Sequence, residues 1–361
     1  MGIRAMRSRL SGGLDVALVL ALIASAAWYV APGTGHSQPA DEPPAASGFA
    51  CARPVNRAPQ DASFVPLRAA DTAPPAVGAA SAVAIDATTG RVLYDKQMHE
   101  QRRPASTTKV MTAIVALETM RDENEIVVSA TNAQAMVGSS VMGLWADAPI
   151  TYRDLLYGLM LPSGNDAALE LARNLAPSVE EFVEKMNAKA AELGLRNTHF
   201  RNPHGLDRAY HFSSAYDLAM IARYAMQNVR FREIAAARQH HLSPPFDYDV
   251  FNGNSLLDSY PGALGVKIGW TNRAGWTFVA AAQRHGREVI VALMNTPDRD
   301  ADAAALLDWS FATFEWREAG RQAGPALRFF DAIGAPAVLE RWFASCLAST
   351  VSVSAAAETD P

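Results

Sequence analysis

The sequence predicts an α+β domain in which an antiparallel sheet is flanked by helices and carries a helical subdomain. Two β-prone runs surround a turn at residues 87–90, and three more lie beyond residue 262. Helical spacing dominates the chain between these two groups. Because strands at both ends enclose the helices, we expect one antiparallel sheet to collect both groups. The five runs read SAVAID, RVLYDK, ALGVKIGW, GWTFVAAAQ and EVIVALMN.

Helices are predicted wherever apolar residues recur at intervals of three and four. The first begins near Ser106, where Val110, Met111 and Ile114 start an apolar stripe. A closing amphipathic helix is expected over residues 301–317, and a terminal helix that packs on the domain within residues 338–347. The helices between are predicted at residues 152–161, 166–175, 179–193 and 214–228.

The chain has 361 residues, 49% of them hydrophobic, and its composition is uneven. Nine of the 21 prolines lie between residues 31 and 78, in a stretch with no sustained period. We therefore predict a Pro/Ala-rich disordered tether at 32–78, one main domain at 79–320, and a short C-terminal helix and tail at 321–361.

Residues 1–31 have the pattern of an export segment. Three arginines in the first nine residues precede an apolar run from residue 16 to residue 31. Small residues at 24–27 suit cleavage of a signal peptide, whereas Trp28 and Tyr29 prolong the run as in a membrane anchor. Both alternatives stay open, and both predict an exported protein of the cell envelope, at the outer face of the cytoplasmic membrane or in the periplasm or cell wall.

Charge and cysteine content exclude several functions. Lys plus Arg number 32 and Asp plus Glu 37, a formal net charge of −5, which argues against a nucleic-acid binder. Cys51 and Cys346 are too few for a thiolate zinc site, although they could pair in an oxidising compartment. The eight histidines show no His-Glu-x-x-His spacing, so no metal or other cofactor is predicted.

Three short motifs carry candidate chemistry. Ser106 and Lys109 are three residues apart at a helix start, which places a lysine amine within reach of a serine hydroxyl. Ser163 and Asn165 lie in a turn between two helices, where capping is the simpler role. Lys267 lies on a β-prone run where it could bind a carboxylate, or protect an exposed sheet edge.

The three motifs occur along the chain in the order Ser-x-x-Lys, Ser-x-Asn and Lys-x-Gly. This order resembles the motif set of penicillin-binding proteins and class A β-lactamases. Over residues 79–317 the sequence is most similar to the serine D-alanyl-D-alanine carboxypeptidases, the low-molecular-mass penicillin-binding proteins. The similarity extends to stretches beyond the motifs, among them residues 138–142, 193–200, 202–206 and 213–219. It implies the β-lactamase/transpeptidase-like fold.

The resemblance also implies roles for individual residues. Ser106 is the expected acyl-ester nucleophile, Lys109 its general base and Ser163 a proton relay. The expected oxyanion hole uses the backbone N–H of Ser106 and one near residue 270 or 271. Expected substrate-binding residues are Asn165, Lys267, Gly269 and Thr271.

The reaction implied is removal of the terminal D-alanine from peptidoglycan stem peptides through an acyl-enzyme, without a cofactor. The partners implied are the peptidoglycan peptide, β-lactam inhibitors that acylate the same serine, and a membrane if the N-terminal segment is retained.

One position departs from the family pattern, because Ile268 stands where threonine is usual. The lost hydroxyl removes a hydrogen bond worth about 1.5–3 kcal/mol if its acceptor is charged. A non-catalytic wall-binding protein or an altered specificity is therefore an alternative. A β-lactamase is a weaker one, since Glu-x-x-Leu-Asn is absent and residues 170–174 read ELARN.

Overall fold

The computed structural model describes residues 64–136 and 138–318. The predicted export segment, most of the predicted tether, the C-terminal tail and both cysteines lie outside this range. Within the described residues, no helix combines the length and the apolar character that a membrane crossing requires.

Eleven strands and eight α-helices are assigned within this range. The strands are β1 Phe64–Arg68, β2 Ser81–Asp86, β3 Val92–Lys96, β4 Ile126–Val128, β5 Pro149–Thr151, β6 Gln239–His241, β7 Asp249–Phe251, β8 Ala263–Thr271, β9 Gly275–Arg284, β10 Arg287–Thr296 and β11 Phe314–Glu318. The helices are α1 Lys109–Thr119, α2 Tyr152–Met160, α3 Asn165–Leu175, α4 Val179–Glu192, α5 Ala215–Ala225, α6 Val229–Ala236, α7 Leu256–Ser259 and α8 Arg299–Thr313. A 3₁₀ turn, Ala105–Thr108, leads into α1, and another spans Ala133–Met136.

The principal sheet has five antiparallel strands in the order β3-β2-β10-β9-β8. Strand β2 pairs with β10, with Val83 opposite Ala292, so the sheet joins segments more than 200 residues apart in sequence. Strand β8, which carries Lys267, lies at one edge. The predicted α+β class and antiparallel sheet are confirmed.

Both faces of this sheet are buried. On β2, Val83 and Ile85 pack into the core shared with the helices between the two strand groups. The alternate residues Ala82 and Ala84 face a second core that includes Leu306 of α8. Because side chains alternate along a strand, each central strand contributes to two apolar layers. The sheet is thus a rigid support for any group on its edge strand.

Helix α1 lies inside the helical side of the domain. All eight of its residues from Lys109 to Ala116 are buried. One polar member, Thr112, donates its hydroxyl to the carbonyl of Pro203 at 2.6 Å. A lysine at the start of such a helix cannot reach solvent, so its charge state depends on its protein neighbours.

The prediction of a disordered tether over residues 32–78 is wrong for residues 64–78. Strand β1 pairs with β11, with Leu67 opposite Glu315, and the chain that follows is fixed to the domain. Trp309 donates its indole N–H to the carbonyl of Thr72, and Asp302 accepts the backbone N–H of Gly78. Proline enrichment misled the prediction because a proline is compatible with a strand that has a partner on one side only.

Two helices also end earlier in the structure than the sequence predicts. The helix predicted over 301–317 is α8 followed by β11, because residues 314–318 alternate along a strand paired with β1. The helix predicted over 214–228 ends at Ala225, and α6 begins at Val229. There the Asn228 side chain caps α6 by accepting the N–H groups of Arg230 and Phe231.

Candidate active site

Ser106 lies in the 3₁₀ turn that precedes α1. The residue before it, Ala105, has φ +49°, a left-handed conformation that non-glycine residues seldom adopt. The carbonyl of Pro104 accepts hydroxyl donors from Thr107 at 2.6 Å and from Thr277 of β9 at 2.9 Å. The sheet and the turn therefore hold the strained backbone that presents the Ser106 hydroxyl.

Lys109 is completely buried beneath this serine. Its Nζ lies 2.9 Å from Ser106 Oγ. It also lies 2.7 Å from Asn165 Oδ1 and 2.7 Å from the carbonyl oxygen of His204. The structure thus brings the first two motifs into contact with each other and with the 202–206 loop, a contact that the motifs did not predict.

The three partners define what this amine can do. Burial, with a further contribution from the positive charge of Lys267, holds the pKa of Lys109 well below its usual value, which favours the neutral amine. A neutral amine has two N–H groups, and the oxygens of Asn165 and His204 accept both. Its lone pair is then left for Ser106, the one partner with a hydroxyl proton to give. The geometry suits a general base for a serine nucleophile.

The second motif forms the opposite wall. Ser163 has φ +65°, and its hydroxyl is buried with no hydrogen-bond partner in the described part of the chain. Asn165, the first residue of α3, contacts Lys109 through its oxygen, so its amide N–H groups remain available to a ligand. A strained serine with an unused hydroxyl is expected where a ligand completes the hydrogen bonding.

Strand β8 approaches the serine on the sheet side. A Cβ on Gly269 would lie 2.7 Å from the backbone nitrogen of Ser106 and 2.5 Å from Thr277 Oγ1, closer than real Cβ contacts. Glycine at this position therefore lets β8 lie directly against the 3₁₀ turn. Consequently the backbone nitrogen of Ser106 lies next to the backbone of β8, the proximity that the expected oxyanion hole requires.

Lys267 is the second buried lysine of the site, with 2% of its surface exposed. Its Nζ makes a hydrogen bond to the carbonyl of Ile268 at 3.1 Å. Burial, with the nearby charge of Arg299, lowers the pKa of Lys267 to about 7. Two positive charges close together provide a favourable position for an anion.

Arg299 is a site residue that the motifs did not predict. Its guanidinium lies 4.4 Å from the ring centroid of Trp276, and its Nη1 is buried without a hydrogen-bond partner among the described residues. It begins α8, although a cation is unfavourable at the positive end of a helix. Its place in the site depends on how α8 packs beside Trp276, so no sequence motif marks it.

Ile268 and Thr271 extend along the same strand. Ile268 is half-buried and contacts Gly253, where an added Cβ would lie 2.9 Å from its Cδ1. The Thr271 hydroxyl accepts the backbone N–H of Ala274 at 3.0 Å and thereby shapes the β8–β9 turn. Neither side chain is part of the contacts among Ser106, Lys109 and Asn165.

Helix α3 anchors the loop that faces Asn165. Asp166 accepts the backbone N–H groups of Met142, Gly143 and Leu144 at 2.8–3.0 Å. One turn later, Glu170 accepts the backbone N–H of Thr131 at 3.0 Å. Glu170 is fully buried in these bonds, so the glutamate of the ELARN stretch has a structural role and is not placed as a hydrolytic base.

His204 and His211 lie next to the site as neutral rings. Burial is the main cause that lowers their pKa values, to about 3 and about 4. His211 accepts the Arg201 N–H at Nδ1, and its Nε2 is 2.9 Å from Thr108 Oγ1. Among the residues described, no cluster of three or more His, Cys, Asp or Glu side chains has an arrangement suited to a metal ion.

Comparisons with known proteins agree on one family. Residues 68–298 match the model of the peptidase family S11, D-alanyl-D-alanine carboxypeptidase. The chain is 37% identical over 246 residues to the D-alanyl-D-alanine carboxypeptidase DacF of Bacillus subtilis, covering 66% of this chain and 63% of that protein. It is 40% identical over 243 residues to DacB2 of Mycobacterium tuberculosis, covering 64% of this chain and 81% of that one.

Solved structures show the same similarity. A D-alanyl-D-alanine carboxypeptidase from M. tuberculosis H37Rv superposes with a TM-score of 0.64 at 38% identity, covering 68% of this chain and 95% of that one. The Streptomyces K15 DD-transpeptidase superposes with a TM-score of 0.63 at 33% identity, covering 67% of this chain and all of that one. Both the sequence and the fold thus point to one family.

Proposed function

The chain belongs to the D-alanyl-D-alanine carboxypeptidase family of serine-type hydrolases, and we propose that it removes the terminal D-alanine from peptidoglycan stem peptides through an acyl-enzyme on Ser106. The observation that carries this proposal is the contact of Lys109 Nζ with Ser106 Oγ at 2.9 Å, made by a fully buried lysine. A serine hydroxyl becomes an effective nucleophile when such a base removes its proton.

In acylation, Ser106 Oγ attacks the carbonyl carbon of the penultimate D-alanine as its proton passes to the amine of Lys109. The developing oxyanion is stabilised by the backbone N–H of Ser106 and by an N–H of β8 at residue 270 or 271. The unpartnered Ser163 hydroxyl relays a proton to the departing nitrogen, and its own proton is replaced from Lys109. The C–N bond breaks, and D-alanine leaves with its carboxylate and amino group.

In deacylation, a water molecule attacks the ester carbon and gives a proton to the neutral amine of Lys109. The ester C–O bond breaks, and the same proton returns to Ser106 Oγ. The net reaction consumes one water and yields the shortened peptide and D-alanine. The Asn165 amide group, whose oxygen is held by Lys109, is oriented to donate to the peptide backbone of the substrate.

The substrate's terminal carboxylate is proposed to bind between Lys267 and Arg299. Lys267 has no carboxylate partner among the described residues, and Nη1 of Arg299 has no hydrogen-bond partner there. A bound carboxylate would satisfy both groups and favour the charged form of the lysine. This pair also supports binding of β-lactams, which carry a carboxylate and present a reactive carbonyl to the same serine.

An exported location follows from the proposed substrate. The arginine-rich start and apolar run of residues 1–31 support export to the cell envelope, with the domain acting in cell-wall remodelling. If the segment is retained, it is the expected contact with a membrane.

A non-catalytic wall-binding protein is the alternative suggested by Ile268. The site geometry favours the enzyme, because Ile268 leaves every acylation contact of Ser106 and Lys109 in place. A binding protein has no need to bury a lysine against a serine hydroxyl at the cost of its charge.

Release of D-alanine from a stem pentapeptide tests the function. The unmodified protein should release one D-alanine per peptide, and Ser106→Ala should release none. Ser243→Ala, which changes an exposed serine outside the site, should keep full activity. Absence of release by the unmodified protein would contradict the proposal.

A further inference from the structure

A second cleft, of about 380 Å³, lies beside the proposed active site. Three arginines line it, Arg102, Arg103 and Arg273, together with Tyr210. We call this the arginine cleft, and none of its residues belongs to the three motifs. We propose that it binds a carboxylate on the part of the stem peptide that precedes the two terminal D-alanines.

The position of the arginine cleft fits the acyl side of the substrate. Arg103 comes three residues before Ser106, and Arg273 lies in the β8–β9 turn, six residues after Lys267. A strand rises about 3.3 Å per residue, so β8 leads away from Lys267 past the serine and toward this turn. A peptide with its terminal carboxylate at Lys267 and its reacting carbonyl at Ser106 therefore has its preceding residues near Arg273.

The charge balance of the arginine cleft leaves positive charge for a ligand. Arg102 is paired with Glu100 at 2.8 Å, whereas the contact of Arg103 with Asp207 is long, at 3.8 Å. Arg273 is exposed and makes no ion pair or side-chain hydrogen bond with any residue that the structure describes. Guanidinium groups bind carboxylates in a bidentate manner, so this turn is suited to an acidic group.

Two further observations support a ligand-binding surface here. The charge of Arg103 is among the causes that lower the pKa of His211, another lining residue, and burial is the largest of them. Tyr210 has φ +62° and exposes 78% of its surface at the cleft. A strained backbone that presents an aromatic ring to solvent beside arginines is consistent with a surface for a peptide.

A carboxylate in the arginine cleft selects one class of stem peptide, a preference that rests on the proposed function. The favoured substrate carries a free side-chain carboxylate on the third residue, as meso-diaminopimelate does. A substrate whose third-residue carboxylate is amidated has the same shape without the charge, and the two differ only in the interaction with the arginine cleft.

The test compares kcat/KM for two pentapeptides, one with meso-diaminopimelate as the third residue and one with its side-chain carboxylate amidated. The unmodified protein should prefer the free carboxylate about tenfold, and Arg273→Gln should lose most of this preference. The preference should also weaken at high salt, because exposed charges are screened. Arg121→Gln, which removes an exposed arginine at the far end of α1, is the matched control and should keep it.

The outcomes separate the two proposals. Equal kcat/KM on both peptides by the unmodified protein would refute carboxylate binding by the arginine cleft, but it would not contradict the carboxypeptidase function. A preference that survives in both Arg273→Gln and Arg103→Gln would refute that binding as well. No release of D-alanine from either peptide would refute the function itself. Unchanged melting temperatures and unchanged acylation by benzylpenicillin confirm that the variants are folded.

Discussion

At the scale of single residues, the chemistry depends on where the protons of Lys109 are. Two acceptor oxygens occupy the N–H groups of the neutral amine and direct its lone pair to Ser106. The motif spacing predicts that Ser106 and Lys109 meet. It does not predict the carbonyl of His204, because a backbone acceptor brought in by a distant loop leaves no mark on the residue type.

Replacement of Lys109 by methionine should abolish base catalysis while filling a similar volume. We expect kcat/KM for D-alanine release to fall about 10³-fold, the middle of the range for loss of a general base. Acylation by benzylpenicillin should fall with it. Lys185→Met, at an exposed lysine on α4, should leave both rates unchanged. A Lys109→Met protein that keeps normal rates would exclude the lysine as the base.

Ile268 should lower affinity for carboxylate ligands without altering the acylation contacts. Ile268→Thr restores a hydroxyl, and a hydrogen bond to a charged acceptor is worth about 1.5–3 kcal/mol, or roughly 10- to 100-fold. The second-order rate of penicillin acylation should rise by at least the lower factor. Ile268→Val has the same shape as threonine without the hydroxyl and is the control. Equal rates in the two variants would show that the hydroxyl has no acceptor.

At the scale of elements, α3 does more than carry Asn165. Its Asp166 and Glu170, one turn apart, accept backbone N–H groups from the two ends of the loop over residues 130–144. Only Asp166 is adjacent in sequence to the second motif. Loss of either carboxylate should destabilise the domain, but loss of Asp166 should also misplace the wall formed by Ser163 and Asn165.

We therefore expect Asp166→Asn and Glu170→Gln to lower Tm by similar amounts, roughly 2–10 °C, because each leaves backbone N–H groups unpaired. Only Asp166→Asn should reduce kcat for D-alanine release, by about tenfold or more. Thermal melting and steady-state kinetics on both variants check this. Equal kinetic losses in the two would indicate a general effect of stability and refute the positioning role.

The sequence predicts the long elements well and the short ones poorly. Helices such as α2 and α4 are long enough to show a clear hydrophobic period, and strand β9 is a long run of mostly buried residues. Strands β4 and β6 have three residues each, too few for a period to appear. Strand β1 was missed because its partner, β11, lies about 250 residues away.

At the scale of the whole molecule, the fold sets the charge states of two lysines by enclosing both between the sheet and the helices. Burial raises the cost of the ammonium form at Lys109 and Lys267 alike. In the proposed mechanism the neutral form of Lys109 is the active base. The proposed carboxylate site needs the protonated form of Lys267, so we expect the same burial to limit activity on the alkaline side.

The pH profile should show this limit. Lys267 has its pKa lowered to about 7, so it is protonated below that pH and neutral above it. We expect kcat/KM for the peptide to fall as pH rises through about 7, and the decline in kcat to occur at higher pH because bound carboxylate favours the ammonium. Lys267→Arg should remove the alkaline decline. An unchanged decline in that variant would assign it to another group.

The three motifs could be predicted to share a site because their order resembles that of one enzyme family, although they are spread from residue 106 to residue 269. Arg299 could not, since no motif contains it and its position depends on how α8 packs beside Trp276. The same holds for the arginine cleft, which exists only because the β8–β9 turn lies beside the chain that leads into Ser106.

A Ser106 acyl-enzyme can be detected by mass spectrometry of the protein after reaction with benzylpenicillin, followed by peptide mapping. We expect one added penicilloyl group, located on Ser106 and absent from Ser106→Ala. A modification on another residue, or an unmodified protein that nonetheless releases D-alanine from the pentapeptide, would contradict a Ser106 acyl-enzyme.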